Sequence, residues 1–245
     1  MERYGVGGTN VGLVRDNNED SIWVRNETIG RLNNLYIVAD GMGGHNAGEV
    51  ASAAAIASFC AHIKGNTSGK TEPTMLLAEA AQFANEEVYK MSVEDETRNG
   101  MGTTLSACSF EAGKLVFAHI GDSRIYVYAG GVLTQITNDH TYAEELVRRG
   151  EITPEAAQDN PWQHMLTRAL GTELDVAVDV GSVALQSGDM VLLCSDGLTN
   201  MVTDQVIAET LRDAALAGNT KDVPETLIQL ALQNGGADNI SVILL

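Results

Sequence analysis

The sequence is short of positive charge, aromatic rings, proline and cysteine. Against 33 Asp and Glu it sets only 15 Lys and Arg, a formal charge of −18. Such a field repels a phosphodiester backbone and excludes a general nucleic-acid binder. No apolar run approaches the ~20 residues of a membrane span, and the start MERYGVGGTN has neither the basic nor the apolar region of a secretory signal. The expectation is a soluble, cytoplasmic, monomeric protein with no membrane partner. Its 3 cysteines, Cys60, Cys108 and Cys194, are odd in number, lack a Cys-x-x-Cys pairing and sit in apolar stretches. They read as reduced core thiols, which excludes a disulfide framework and a cysteine zinc site. The 4 prolines are scattered and no low-complexity block divides the chain, so residues 1–245 are expected to form one domain. A phosphate-cradling Gly-x-x-x-x-Gly-Lys-Ser/Thr motif and a His-Glu-x-x-His zinc motif are both missing. The glycine-rich stretches 5–10 and 41–46 place Asn where a dinucleotide fingerprint needs its third glycine, and the first has too little chain before it for the preceding strand.

What is present is a chain long enough, and at 44% hydrophobic apolar enough, to bury a full core. Short β-rich runs bounded by Gly, Asn or Asp predict strands over 21–25, 35–39, 105–110, 115–120, 124–128, 176–183, 190–194 and 240–245. Helices are predicted over 47–63 after Asn46, over 73–91, over 204–214 with Thr203 as N-cap, and over 224–233, stopped by Gly235 and Gly236. Helices come in pairs between groups of strands rather than alternating with them. That order favours an α+β fold of antiparallel sheets with helices outside over a doubly wound parallel sheet. Residues 138–171, with short helical pieces at 143–149 and 154–157, form an insertion that is either a flap beside a site or a solvated crossover.

The aspartates carry the chemistry. Apolar runs end at Asp40, Asp122 and Asp196, and others begin after Asp20 and Asp238. In antiparallel pairing the end of one strand lies beside the start of its neighbour, so Asp20 is expected to meet Asp40, and Asp196 to meet Asp238, within one cleft. Any single Asp-Gly here is ordinary turn chemistry; five carboxylates together need a counter-charge. With no excess of Lys or Arg nearby, that charge is a hard divalent cation, and oxygen ligands favour Mg²⁺ or Mn²⁺ over zinc. Two such ions roughly 3.5–4 Å apart acidify a water and stabilise displacement at phosphorus. Arg15 either grips two phosphate oxygens as a fork or is a surface arginine paired with Asp16 or Glu19. His45, after Asp40-Gly41-Met42-Gly43-Gly44, is either the acid that protonates the departing oxygen or a solvated helix-entry residue. His62, His119, His140 and His164 read as structural.

Arg15-Asp16-Asn17-Asn18-Glu19-Asp20, Val38-Ala39-Asp40-Gly41-Met42-Gly43-Gly44-His45, Met101-Gly102-Thr103-Thr104, Gly121-Asp122-Ser123-Arg124, Cys194-Ser195-Asp196-Gly197-Leu198 and Gly236-Ala237-Asp238-Asn239-Ile240-Ser241 stand in this order. Together they resemble the PP2C-type, metal-dependent serine/threonine phosphatases in their minimal bacterial form, over nearly the whole chain. The resemblance implies a four-layer α-β-β-α sandwich, two antiparallel sheets flanked by helical pairs, with the metal centre at one end. It implies that Asp40 bridges two ions, that the Gly41 carbonyl joins the first, and that Asp196 and Asp238 complete the second. Glu19 and Asp20 would hold metal waters, Asp122 with Asp196 a weaker third ion, and Arg15 the substrate phosphate, with 138–171 as the flap. The activity implied is hydrolysis of phosphoserine and phosphothreonine by a metal-activated water, without a phosphoenzyme. The natural partners by resemblance are phosphorylated proteins and a cognate bacterial serine/threonine kinase. Animal members carry His two residues after the bridging aspartate, where this chain has Met42. Two rivals fit parts of the pattern: a phosphodiesterase or nuclease using the same two-metal logic, disfavoured by the −18 charge, and a silent phosphoprotein-binding module, which has no need to assemble the repelling carboxylates Asp20, Asp40, Asp196 and Asp238.

Overall fold

The computed structural model describes residues 4–44, 47–67, 71–158 and 160–245. Among them the strands fall into two antiparallel sheets. One has the order β1-β11-β10-β7-β8, built from β1 (Val6–Asn10), β7 (Arg124–Ala129), β8 (Val132–Gln135), β10 (Met190–Cys194) and β11 (Ile240–Leu244). The other runs β2-β3-β5-β6-β9, from β2 (Asp20–Arg25), β3 (Leu35–Met42), β5 (Leu105–Glu111), β6 (Lys114–Ile120) and β9 (Asp179–Ala184), with the two-residue β4 (Gly102–Thr103) attached to β3.

Both faces of each sheet are covered, so a strand alternates between two apolar environments and reads in sequence as a continuous apolar run. In β3, Leu35, Ile37 and Ala39 pack against α1 (Ala47–Gly65) and α2 (Pro73–Glu94), whereas Tyr36 and Val38 enter the layer between the sheets. In β10 the same alternation sends Met190, Leu192 and Cys194 towards α6 (Asp204–Ala217) and α7 (Val223–Gln233), and Val191 and Leu193 inward. The inter-sheet layer joins Phe117 and Leu115 of one sheet to Ile125, Val127 and Ile243 of the other. The result is the expected α-β-β-α sandwich. Thr203 caps α6 by accepting the Val206 N–H, and α6 ends on Gly218 in the left-handed conformation, φ 67°. Cys60, Cys108 and Cys194 are buried free thiols, and burial pushes the Cys60 thiol up to about 11.

Three elements depart from the sequence expectation. Residues 6–10 form edge strand β1 despite two glycines, because β11 supplies an antiparallel partner along its whole length, Val6 opposite Leu244 through Asn10 opposite Ile240. The strand expected over 176–183 starts only at Asp179. After Cys194 the chain turns into the four-residue α5 (Asp196–Thr199), so Asp196 opens a helix beyond the strand end. The insertion 138–171 carries α3 (Tyr142–Arg148) and α4 (Pro154–Gln158). Its two ends clasp each other, Tyr142 N–H donating to the Met165 carbonyl at 2.8 Å and Thr167 N–H to that of His140 at 2.8 Å.

Candidate metal centre

Five aspartates from distant parts of the chain meet at one end of the sandwich. The β2–β3 register sets Asp20 directly opposite Asp40, as the antiparallel argument requires. Asp122 sits in the tight β6–β7 connection, Asp196 at the first turn of α5, and Asp238 just before β11. Asp196 lies close enough to Asp40 for the two carboxyls to share a hydrogen bond, and it feels the charge of Asp238. Asp40, Asp122, Asp196 and Asp238 line one cleft of about 370 Å³, together with Arg15, Glu19, Gly41 and Met42.

The backbone around these carboxylates is fixed by short-range chemistry. Asp40 N–H donates to Thr104 Oγ1 at 2.9 Å, while its carbonyl accepts from Thr104 N–H and Thr103 Oγ1, both at 2.8 Å. Gly41 N–H donates to the Glu19 carbonyl at 3.2 Å. A Cβ on Gly41 would overlap the carbonyl oxygens of Gly48 and Glu19, so only glycine lets β3 pass the start of α1. Asn239, buried, binds the N-terminal segment at three points. Its Oδ1 accepts Glu19 N–H at 2.7 Å, and its Nδ2 donates to the carbonyls of Val11 at 2.8 Å and Asn17 at 3.0 Å. This residue, adjacent to Asp238, joins the two ends of the chain around the cleft.

The electrostatics are those of a site built for a cation. Burial raises the pKa of Asp20 to about 7; the hydroxyls of Ser241 and Ser195 oppose the rise, and the charges of Asp196 and Asp238 add to it. Burial also raises Asp40, followed by repulsion from Asp20, Asp196, Asp122 and Asp238. Asp122 and Asp196 are raised for the same reasons, burial first and a neighbouring aspartate next. Ser195 Oγ donates to Asp20 Oδ2 at 2.7 Å, but Asp20 Oδ1 is buried with no hydrogen-bond partner among the described residues. A buried carboxylate oxygen left without a proton donor has the stereochemistry of a ligand or of an acceptor for a water on an ion. Among the described residues no three His, Cys, Asp or Glu side chains close into a ready-made cage. The donors that line the cleft are carboxylates, a set that suits Mg²⁺ or Mn²⁺ better than zinc.

Arg15 is half-exposed at the rim, and its partner is Asp238, with Nη2 2.9 Å from Oδ2. The local pairing with Asp16 or Glu19 is therefore corrected: the contact spans 223 positions, and it points the guanidinium into the cleft. His45 lies outside the described residues. His164 also departs from its structural reading. It projects from the flap into the cleft, lining it beside Leu166, with Nδ1 3.8 Å from Asp196 Oδ2. The other described histidines hold structure. His119 is buried between Ser106 Oγ and the Asn138 carbonyl, both at 3.0 Å, and burial lowers its pKa to about 4. His140 accepts Gly121 N–H at 3.1 Å and lies 3.2 Å from Asp179. Arg124 grips Asp139 through Nε and Nη2, the closest contact 2.8 Å, and so ties the Asp122 turn to the base of the flap.

Buried carboxylates wanting a cation, beside an arginine suited to a phosphate, place the chain in the class of metal-dependent phosphoester hydrolases. The family model of protein phosphatase 2C matches residues 15–231, and the chain belongs to that family. It is 37% identical over 238 residues to the protein phosphatase PhpP of Streptococcus pneumoniae, covering 96% of this chain and 94% of PhpP. To the serine/threonine phosphatase stp of Listeria monocytogenes it is 41% identical over 238 residues, 96% and 92% of the two chains. The crystal structure of the Mycobacterium tuberculosis serine/threonine phosphatase PstP/Ppp superposes with a TM-score of 0.86 at 38% identity, over 98% of this chain and 96% of that one. A catalytic domain of PstP in complex with 2 manganese ions gives 0.82 at 37% identity, over 98% and 96%.

Proposed function

We propose that this chain is a metal-dependent protein phosphatase that hydrolyses phosphoserine and phosphothreonine in proteins. The observation that carries the reading is the convergence of Asp20, Asp40, Asp122, Asp196 and Asp238 on one cleft. Residues 1–245 act as a single catalytic domain, with 138–171 as its flap. Asp40, the Gly41 carbonyl, Asp196 and Asp238 are the groups that would hold two ions of Mn²⁺ or Mg²⁺. When bound, the pair supplies a water acidic enough to attack phosphorus at neutral pH and neutralises the phosphoryl oxygens.

The chain's own residues do the rest. Glu19 and Asp20 would accept hydrogen bonds from waters on the ions, Asp20 through its unpartnered Oδ1. Asp122 with Asp196 would hold a third, weaker ion. Arg15, braced by Asp238, offers its remaining N–H groups to the phosphate and fixes it in line for attack. The P–O bond to the serine or threonine oxygen breaks, that oxygen takes a proton, and inorganic phosphate leaves without a covalent enzyme intermediate. His45 is the proposed donor of that proton, and Met42 stands where an animal relative has its histidine. The partners are phosphoproteins, with a bacterial serine/threonine kinase writing the marks that this enzyme removes. Among the described residues no helix is long and apolar enough to cross a membrane, and we place the enzyme in the bacterial cytoplasm as a monomer.

The test is hydrolysis of p-nitrophenyl phosphate with Mn²⁺, with excess chelator, and by Asp40→Ala and Asp196→Ala. Activity should require the ion and be nearly abolished in both variants. Turnover in chelator refutes the reading, and faster hydrolysis of bis-p-nitrophenyl phosphate than of the monoester would favour a phosphodiesterase.

A further inference from the structure

The catalytic cleft continues past Met42. Met42 and Leu166 line it on one side and on the other form the near wall of a second groove of about 300 Å³, between the flap's return and loop 172–177. Val176 contributes apolar surface, and Glu173 and Asp175 stand exposed on the rim. Arg168, the cation in this groove, is committed to Asp179 at 2.9 Å. Glu173 and Asp175 have no salt-bridge partner among the described residues. The groove is therefore electronegative in excess of the balance struck within it.

Its walls are held in register with the metal centre. Asn85, fully buried on α2, donates from Nδ2 to the carbonyls of Glu173 at 3.0 Å and Leu174 at 2.8 Å, and its Oδ1 accepts Gly171 N–H at 2.8 Å. Leu170 exchanges both backbone hydrogen bonds with Thr103, at 3.0 and 2.8 Å, and β4 is bonded in turn to Gly41 and Met42 of β3. The backbone that carries the acidic rim is thus fixed relative to the carboxylates, which lowers the ordering cost a ligand has to meet.

We propose that this groove receives the stretch of a phosphoprotein directly beside the phosphorylated residue, and that Glu173 and Asp175 select a Lys or Arg there. The proposal rests on the phosphatase reading of the adjoining cleft. Two observations favour this occupant. The groove opens into the cleft across Met42 and Leu166, so a chain anchored by its phosphate can continue directly along it. The protein's charge of −18 opposes an anionic phosphoester, and a basic neighbour offsets that repulsion. Its methylene stem would lie on Val176 and Met42 while the charged head reaches the rim.

The experiment uses the Mn²⁺-loaded enzyme and phosphothreonine peptides bearing Arg, Ala or Glu close to the phosphothreonine, on its N-terminal or its C-terminal side. Wild type should prefer Arg over Glu on one side by about ten-fold in kcat/KM at low salt, the scale of two exposed ion pairs. The preference should shrink as salt is raised. Glu173→Gln with Asp175→Asn should erase it, and Glu173→Lys with Asp175→Lys should invert it, while p-nitrophenyl phosphate turnover stays unchanged in both. Absence of a preference in wild type, or a preference that survives both double substitutions, overturns the proposal. A wild type that hydrolyses neither the peptides nor p-nitrophenyl phosphate would instead refute the phosphatase reading itself.

Discussion

Asp20→Asn should make the metal-free protein more stable, and increasingly so as pH rises. Burial and its acidic neighbours hold the Asp20 carboxyl at about 7 in the folded protein, against about 3.9 in an unfolded chain. A carboxyl raised on folding contributes its stability below the unfolded value and loses it as pH climbs through the folded one, because the folded state then binds more protons than the unfolded state. The gap between those two values corresponds to about 4 kcal/mol lost between pH 4 and 8. His119, lowered to about 4 by burial, works the other way: its contribution grows with pH up to its unfolded value. A single pH scan would mix the two effects. The difference between variant and wild type removes the histidine, which both share. Asparagine keeps an acceptor for Ser195 Oγ, and losing the charge also relieves Asp40, which Asp20 repels. For a chain of this size, about 4 kcal/mol moves the melting temperature by roughly 8–16 °C. The assay is therefore thermal melting of both proteins in chelator from pH 4 to pH 8, repeated with saturating Mn²⁺. The Tm advantage of Asp20→Asn should widen with pH in chelator and lose its slope with the ion present. A difference independent of pH in chelator would refute the claim that Asp20 is a buried carboxylate awaiting a cation.

Arg15→Ala should raise KM for p-nitrophenyl phosphate with little change in kcat, as for a group holding ground and transition states alike. Because Arg15 also braces Asp238, Arg15→Lys is the control: calorimetry should find both tight metal sites intact in each variant. Asp122→Ala should keep two tightly bound ions but lose phosphopeptide turnover by about 10²-fold, the scale for losing a proton donor, if the ion it holds with Asp196 helps His45 to protonate the leaving oxygen; full turnover would make Asp122 a turn residue only. Asn239→Ala removes three hydrogen bonds that pin residues 11–19 and should cost about 1–3 kcal/mol in denaturant unfolding. An unchanged midpoint would show that the N-terminal segment is held by other contacts.

Much of this site can be read from sequence because antiparallel pairing is a rule about neighbours. Once 21–25 and 35–39 are strands joined by a short connection, Asp20 and Asp40 must meet, and the register sets them face to face. What escapes is what depends on partners far along the chain. Residues 6–10 have too much glycine to look like a strand alone, and only β11 makes them one. Arg15 has two acidic neighbours within reach in sequence, yet its partner is Asp238. His164 sits in an irregular stretch with no periodicity, so nothing local indicates that the flap folds back to bring it beside Asp196. The strand expected over 176–183 starts late because its partner β6 turns away after Ile120, leaving residues before Asp179 nothing to pair with in the sheet.

The pairing of β1 with β11 has a consequence for how the enzyme comes into being. Strands near the two ends of the chain must find each other, and Arg15 meets Asp238 across 223 positions, a closure among the slowest kinds of contact to form. A ribosome adding 5–20 residues per second needs roughly 10–45 s to make the chain between them. During that interval α1 and α2 can pack on β2, β3, β5 and β6, with β9 joining once residue 184 is made, while the cleft still lacks Asp238 and the Asn239 clamp. A growing or prematurely ended chain therefore carries the fold's scaffold without a working centre, and dephosphorylation begins only when the last strand closes the first sheet.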